Sequence, residues 1–252
     1  MVPPPDATFP LPATPDDAIG ALYTEPVRID DHLFWIRRPA DPDRVLDHPA
    51  THAAFARDEY MPYWCDLWPA ARILAKVILR EHWPTGMHAL ELGCGLGLPG
   101  IAALKKEMQV TFSDYDRTAL RFAADNARLN GCSESRFTLL PFDWRQPPAL
   151  QFDLILASDL IYEERNVPVV VEVLKRMLAP LGVCYLTDQD RKPAASLRQL
   201  LQQSGFAFTT EMLRAGQPAS PGQPAPLRVK GTLYRIRWVA YENAAPASAA
   251  AI

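Results

Sequence analysis

Between residues 91 and 100 the chain reads Glu-Leu-Gly-Cys-Gly-Leu-Gly-Leu-Pro-Gly, directly after a short apolar run with strand character and directly before one with helix character. Glycines at the alternate positions Gly93, Gly95 and Gly97 let the backbone turn tightly and let a ligand approach where a Cβ would collide. The unpaired N–H groups that open the following helix add a site for polar ligand atoms. Two ligand classes fit this loop. Read from Gly95, the run Gly95-Leu96-Gly97-Leu98-Pro99-Gly100 satisfies the dinucleotide fingerprint, and Asp114 lies about twenty residues on, where a ribose-binding acid would sit. Read from Glu91, the pattern is an acid followed by alternating glycines. An acid at the end of the strand repels a pyrophosphate and attracts an ammonium group.

The acid tilts the choice toward S-adenosyl-L-methionine, a nucleoside with no phosphate, an amino-acid end and a positive sulfonium. Asp114 serves either ligand, because a carboxylate can accept both ribose hydroxyls. Asp116 is placed to cap the next helix, which leaves Asp114 free for a ligand.

The surrounding elements alternate. Ile73, Leu74, Val77 and Ile78 recur at helical spacing up to Trp83-Pro84. Strands are expected at 89–92, 109–113, 137–140, 152–157 and 182–187, with helices at 99–106, 117–129, 167–178 and 193–204 between or after them. This order implies an α/β fold, a doubly wound, Rossmann-like parallel sheet covered on both faces. Residues 206–213 and 227–239 are both strand-like with no helix between them, so they should pair antiparallel. Residues 27–36 read as a hairpin around Asp30-Asp31 that must lean on the main domain. The expected organisation is a loosely ordered proline-rich arm at 1–26, a hairpin extension at 27–62, the main domain at 63–243 and an unstructured alanine-rich tail at 244–252.

Composition narrows the class. The 252 residues are 48% hydrophobic, enough for a proper core, with a net charge of −3. No apolar run is long enough to span a membrane and the start lacks a secretory signal, so a soluble cytoplasmic protein is expected. The four cysteines are far apart with no Cys-x-x-Cys, so neither a disulfide frame nor a metal site is expected. Arg228, Lys230, Arg235 and Arg237 read as an exposed strand face, and no module for nucleic acid is recognisable.

With these residues assembled, the chain from about Tyr63 to Val239 resembles a class I, seven-stranded S-adenosylmethionine-dependent methyltransferase. More narrowly, it is similar to the Asp-x-x-Tyr group that contains many protein-lysine methyltransferases and was once described as nicotinamide N-methyltransferase-like. Four pieces carry the resemblance: Trp68-Pro69-Ala70-Ala71, the loop from Glu91 to Ile101, Asp143-Trp144, and the run from Phe152 through Asp159-Leu160-Ile161-Tyr162. It implies that Glu91, Gly93, Gly95 and Gly97 hold the methionine end and Asp114 the ribose. It implies further that Trp144 and Tyr115 touch the adenine and that Trp68 and Ser158 line the cofactor. The resemblance also implies a protein substrate and a last strand inserted antiparallel, and a monomer without nucleic-acid or membrane partners is expected.

Asp159, at the carboxyl end of the fourth strand, is the candidate catalytic carboxylate, able to accept a hydrogen bond from an amine and orient its lone pair. Tyr162 can offer a ring face and a hydroxyl to a cation. The expected reaction is methyl transfer to a nitrogen, a protein lysine first and a small nicotinamide-like amine or heterocycle as the alternative. Asp188-Gln189-Asp190-Arg191 either shapes the substrate side of the cleft or is a solvated loop.

Overall fold

A computed structural model of the chain describes residues 11–215 and 229–241. The first ten residues of the arm, the proline-rich link after residue 215 and the alanine-rich tail lie outside the described residues.

The elements run α1 (Asp16–Ile19), β1 (Leu22–Ile29), β2 (His32–Pro39), α2 (Pro42–Leu46), α3 (Pro49–Asp58), α4 (Pro69–Arg80), β3 (His88–Leu92), α5 (Leu98–Lys105), β4 (Gln109–Asp114) and α6 (Arg117–Leu129). They continue with β5 (Phe137–Pro141), β6 (Phe152–Ser158), α7 (Asn166–Met177), β7 (Leu178–Asp188), α8 (Ala194–Gln203), β8 (Phe206–Ala215) and β9 (Val229–Trp238). A single helical turn, Tyr63–Cys65, joins α3 to α4.

The main sheet has seven strands in the order β5-β4-β3-β6-β7-β9-β8. β3, β4, β5, β6 and β7 are parallel; β9 pairs antiparallel with both β7 and β8, so the last strand is inserted between its two neighbours. The doubly wound sheet with an antiparallel terminal pair is the fold expected from the alternation.

Alternate residues of each strand feed opposite cores. Ala89, Val110, Phe112, Leu154, Leu156, Val183 and Tyr185 pack with α4, α5, α6 and the N-terminal hairpin on one face. Leu90, Leu92, Ile155, Ala157, Cys184 and Leu186 pack with α7 and α8 on the other. Phe112 is fully buried, and truncating such a ring costs about 3–5 kcal/mol.

The helix ends follow the local signals. The Asp116 side chain accepts the Thr118 N–H at 2.7 Å at the start of α6, and Gly131, at φ +71°, follows its end. β7 begins at Leu178, four residues before the expected start at Gly182, because its first residue pairs with Phe152 across a register shift.

The N-terminal region is more ordered than its proline content suggests. The hairpin spans 22–39 rather than starting at Val27, and Pro26 sits inside β1 opposite Trp35. A two-stranded ribbon consists of edges only, which is where a proline is tolerated in a strand. The arm from residue 11 is docked. Pro12 O accepts the Arg117 N–H at 3.0 Å, and Thr14 Oγ1 donates to Asp116 Oδ2 at 2.7 Å. Ile19 of α1 is buried. Two helices that the sequence reading did not contain, α2 and α3, connect this hairpin to the main domain, with Pro42 and Pro49 each in a first turn.

Candidate active site

The carboxyl ends of β3, β4 and β6 open into one cleft of about 980 Å³. Every sequence-predicted site residue lines it except Glu91: Trp68, Gly93, Gly95, Gly97, Asp114, Tyr115, Trp144, Ser158, Asp159 and Tyr162.

The glycine loop forms the floor. Gly93, Gly95 and Gly97 have φ of +61°, +50° and +82°, the left-handed region that favours glycine. A Cβ on Gly93 would lie 2.7 Å from Leu160 Cδ2 and 2.8 Å from Trp144 Cζ2, so the floor has no room for a side chain there. Gly97 caps α5.

Glu91 is placed differently from expectation. Its carboxylate turns under the loop, where Oε2 accepts the Gly100 N–H at 2.9 Å, and the side chain is buried. Burial pushes its pKa well above the ordinary carboxylate value. The strand points this side chain into the α5 side of the sheet, so it braces the start of α5 rather than facing the cleft.

Asp114 joins the floor to the wall. Its Oδ2 accepts the Gly95 N–H at 2.9 Å and its Oδ1 the Asp116 N–H at 3.0 Å. Burial raises its pKa to about 7, against the pull of these two backbone donors. Next to it Tyr115 donates to Asp58 Oδ2 at 2.7 Å, and the Arg145 guanidinium, paired with Asp143, lies 5.7 Å from the Tyr115 ring centre. Two buried polar atoms here have no partner: the Trp144 indole nitrogen and Asp58 Oδ1. An unpaired buried donor and acceptor beside a carboxylate suit a ligand that carries its own hydrogen-bonding groups. With the side-chain-free floor, they fit the nucleoside of S-adenosyl-L-methionine.

A second group gathers around Asp159. This residue has φ +56°, an uncommon value outside glycine that turns its side chain inward at the end of β6. The buried carboxylate accepts from the Gln189 side chain at 3.0 Å and from the Ala70 N–H at 3.3 Å, and it lies 3.5 Å from the Arg191 guanidinium. Burial raises its pKa, while the Arg191 charge and the Gln189 hydrogen bond oppose that. Three rings adjoin: Tyr63 meets Tyr162 edge-on at 5.2 Å and Trp68 edge-on at 5.9 Å. Burial pushes the Tyr162 hydroxyl up to about 12, so it stays protonated. Of the loop after β7, Gln189 and Arg191 face Asp159, while Asp190 accepts from Thr232. Arg235 on β9 is paired internally with Glu81 and Glu211.

The sequence reading missed the strap over the cleft. Phe55, Asp58, Tyr60, Tyr63 and Trp64 all line it, and they come from α3 and the turn after it. Tyr60 and Trp64 donate to the buried Asp116 carboxylate at 2.5 and 2.9 Å, the same group that holds Thr14. Arg165 pairs with Glu59 and closes the strap onto the start of α7. The density of tyrosine and tryptophan between residues 60 and 68 is the signal that could have drawn attention to this stretch.

No helix among the described residues is long and apolar enough to cross a membrane, and they contain no cluster of three metal-ligating side chains. Residues 57–202, more than half of the chain, match the model of a family described as lysine methyltransferase. The chain is 33% identical over 110 residues to the Histidine protein methyltransferase 1 homolog of Dictyostelium discoideum, covering 42% of this chain and 36% of that one. It is 30% identical over 169 residues to the Protein-lysine N-methyltransferase EEF2KMT of Homo sapiens, covering 59% and 49%. It thus spans between about a third and a half of the length of these relatives. In fold it is similar to Precorrin-6y C5,15-methyltransferase from Geobacter metallireducens GS-15, with TM-score 0.53 and 12% identity over 66% of this chain and 86% of that one. With its glycine-floored cleft, its seven-stranded sheet and this match across the region that builds both, the chain belongs to the lysine methyltransferase family.

Proposed function

We propose that the protein transfers the methyl group of S-adenosyl-L-methionine to a side-chain nitrogen of a protein, a lysine first. One observation carries this reading: Asp159 and Tyr162, with the rings of Tyr63 and Trp68, share a single cleft with the glycine floor and Asp114.

When bound, S-adenosyl-L-methionine supplies an electrophilic methyl carbon on a positive sulfur. Asp114 would accept the ribose hydroxyls, the Trp144 N–H would meet an acceptor of the nucleoside, and the Tyr115 ring would cover the adenine. Gly93 and Gly95 allow the methionine end to lie against bare backbone. Methyl transfer to an amine is an in-line displacement, so the residues around the acceptor have alignment as their main task.

A lysine of ordinary pKa about 10.4 is roughly one part in 2,500 neutral at pH 7, and only that form has a lone pair. Burial in the cleft beside a positively charged sulfonium would lower this pKa by desolvation and like-charge repulsion. Asp159 accepts one N–H of the amine and so aims the lone pair. Its charge is partly met by the Gln189 amide and the Ala70 N–H, which weakens its hold on the ammonium form and makes orientation its role. Tyr162, protonated, offers its ring face and its hydroxyl without adding a negative charge. The proton leaves with water at the mouth of the cleft.

Histidine is the second reading, because one relative carries that acceptor in its name. An imidazole is largely neutral near pH 7 and needs no help to lose a proton. Labelled S-adenosyl-L-methionine incubated with the protein and a cell lysate tests both. A labelled protein band whose mass spectrum places the methyl group on lysine supports the first reading, and on histidine the second. Label confined to small molecules would contradict a protein substrate.

A further inference from the structure

The seat proposed for the acceptor amine is already held by a cation of this chain. Arg191 Nη2 lies 3.5 Å from Asp159 Oδ1, and its guanidinium carbon lies 5.7 Å from the centre of the Trp68 ring. The same carboxylate takes the Gln189 amide and the Ala70 N–H, and the same ring stands edge-on to Tyr63. A buried carboxylate next to an aromatic face attracts any cation that reaches it.

We propose that Arg191 is a resident stand-in for the substrate, holding the seat between Asp159 and Trp68 until a positively charged acceptor side chain displaces it. The proposal deepens the reading of the cleft as an amine-methylating site and rests on it.

The way Arg191 is held suits exchange. Its backbone N–H is pinned to Asp188 Oδ1 at 3.0 Å, so the main chain is fixed while the long side chain can turn. Its closest approach to Asp159 is 3.5 Å, well beyond the 2.7–2.9 Å of a charge-assisted hydrogen bond. The side chain is 29% exposed, so its way out to solvent is open. Gln189 is the tighter partner and can hold the carboxylate in place during the exchange.

Two consequences follow for the substrate. A neutral acceptor offers no charge to replace the guanidinium at Asp159, so Arg191 selects for acceptors that arrive charged and deprotonate in place. Between turnovers the buried carboxylate keeps a partner, and its desolvation is never left uncompensated.

A titration followed by NMR of n-butylammonium, which has the chain and charge of a lysine side chain, tests the exchange. It is run on the full chain with and without S-adenosylhomocysteine, and compared with n-butanol as a neutral probe of the same shape. Arg191→Met should bind n-butylammonium about tenfold more tightly than the unaltered protein, equivalent to about 1.4 kcal/mol. Arg191→Lys, which keeps a cation in the seat, should remain near the unaltered protein, and Asp159→Asn should lose the binding. A purely structural Arg191 would instead give unchanged or weaker binding in Arg191→Met, and in Arg191→Gln as a second variant, which would overturn the proposal. An equal gain for n-butanol would overturn it too, because it would mean that only space had been vacated. No methyl transfer is measured, so this result stands apart from the labelled-lysate experiment, and either can fail without the other.

Discussion

Asp114 Oδ2 accepts the backbone N–H of Gly95 at 2.9 Å, so the carboxylate that ends β4 also fixes the glycine loop beside it. Burial has raised its pKa to about 7, while an unfolded aspartate titrates near its ordinary value of about 3.9. The folded state therefore keeps a proton that the unfolded state loses. The stability from this group is fully present below about pH 4 and is lost as pH rises through about 7. Ligand binding has the opposite sign, since only the carboxylate can accept two ribose hydroxyls. Affinity for S-adenosylhomocysteine should rise as pH rises through about 7, with proton release on binding. Calorimetry in buffers of different ionisation enthalpy checks this, and Asp114→Asn should remove both the pH dependence and the released proton.

Gly93→Ala places a methyl group where Leu160 and Trp144 already stand, at a φ that costs a residue with a Cβ about 1–2 kcal/mol. For a chain of this size the melting temperature should fall by about 2–8 °C. Nucleoside affinity should fall by at least about tenfold as Trp144 is displaced, an amount equivalent to about 1.4 kcal/mol. Thermal melts and calorimetry read the two effects separately.

Asp159→Asn and Tyr162→Phe keep the shape of the cleft and remove what would act on the acceptor. Methyl transfer should fall by about 10²-fold or more for Asp159→Asn, in the range of a lost acid-base or orienting group. S-adenosylhomocysteine binding should stay within about twofold in both, because neither residue belongs to the nucleoside group. Normal turnover in both variants would remove them from the chemistry.

Tyr60→Phe deletes one donor to the buried Asp116 carboxyl, a bond worth about 1–3 kcal/mol. Hydrogen exchange should quicken across residues 55–66 and nucleoside binding should weaken, while exchange in β3 and β4 stays slow. Equal loosening of the whole chain would show that Tyr60 serves global stability and not the strap.

Glu91→Gln separates two roles for one residue. Bracing Gly100 needs an oxygen acceptor, which glutamine supplies, and a neutral amide is easier to bury than a charge. Nucleoside affinity should change by less than about fivefold, under about 1 kcal/mol. A loss of a hundredfold would return Glu91 to the role of holding the methionine ammonium.

The central sheet and its floor were legible because their signals are local. Alternating apolar segments, Asp116 at a helix start, Gly131 at a helix end and three glycines after a strand each act within a few residues. The direction of the Glu91 side chain was not legible, for a physical reason. Spacing puts it beside the loop, but the alternation of strand faces decides whether its side chain meets the cleft or the core, and β3 is buried on both. The strap was missed because its stability is non-local. Tyr60, Trp64 and Thr14 are held by one carboxyl that lies 52 to 102 residues away in sequence. Prolines at 12 and 15 suggested disorder, and the acceptor that orders this stretch is invisible without the fold.

The most direct test is calorimetric titration of the folded chain with S-adenosylhomocysteine at pH 8, above the raised pKa of Asp114. Saturable one-to-one binding is expected, weakened by Gly93→Ala and abolished by Asp114→Ala. A folded chain that gives no heat of association, or equal binding in all three proteins, would contradict it.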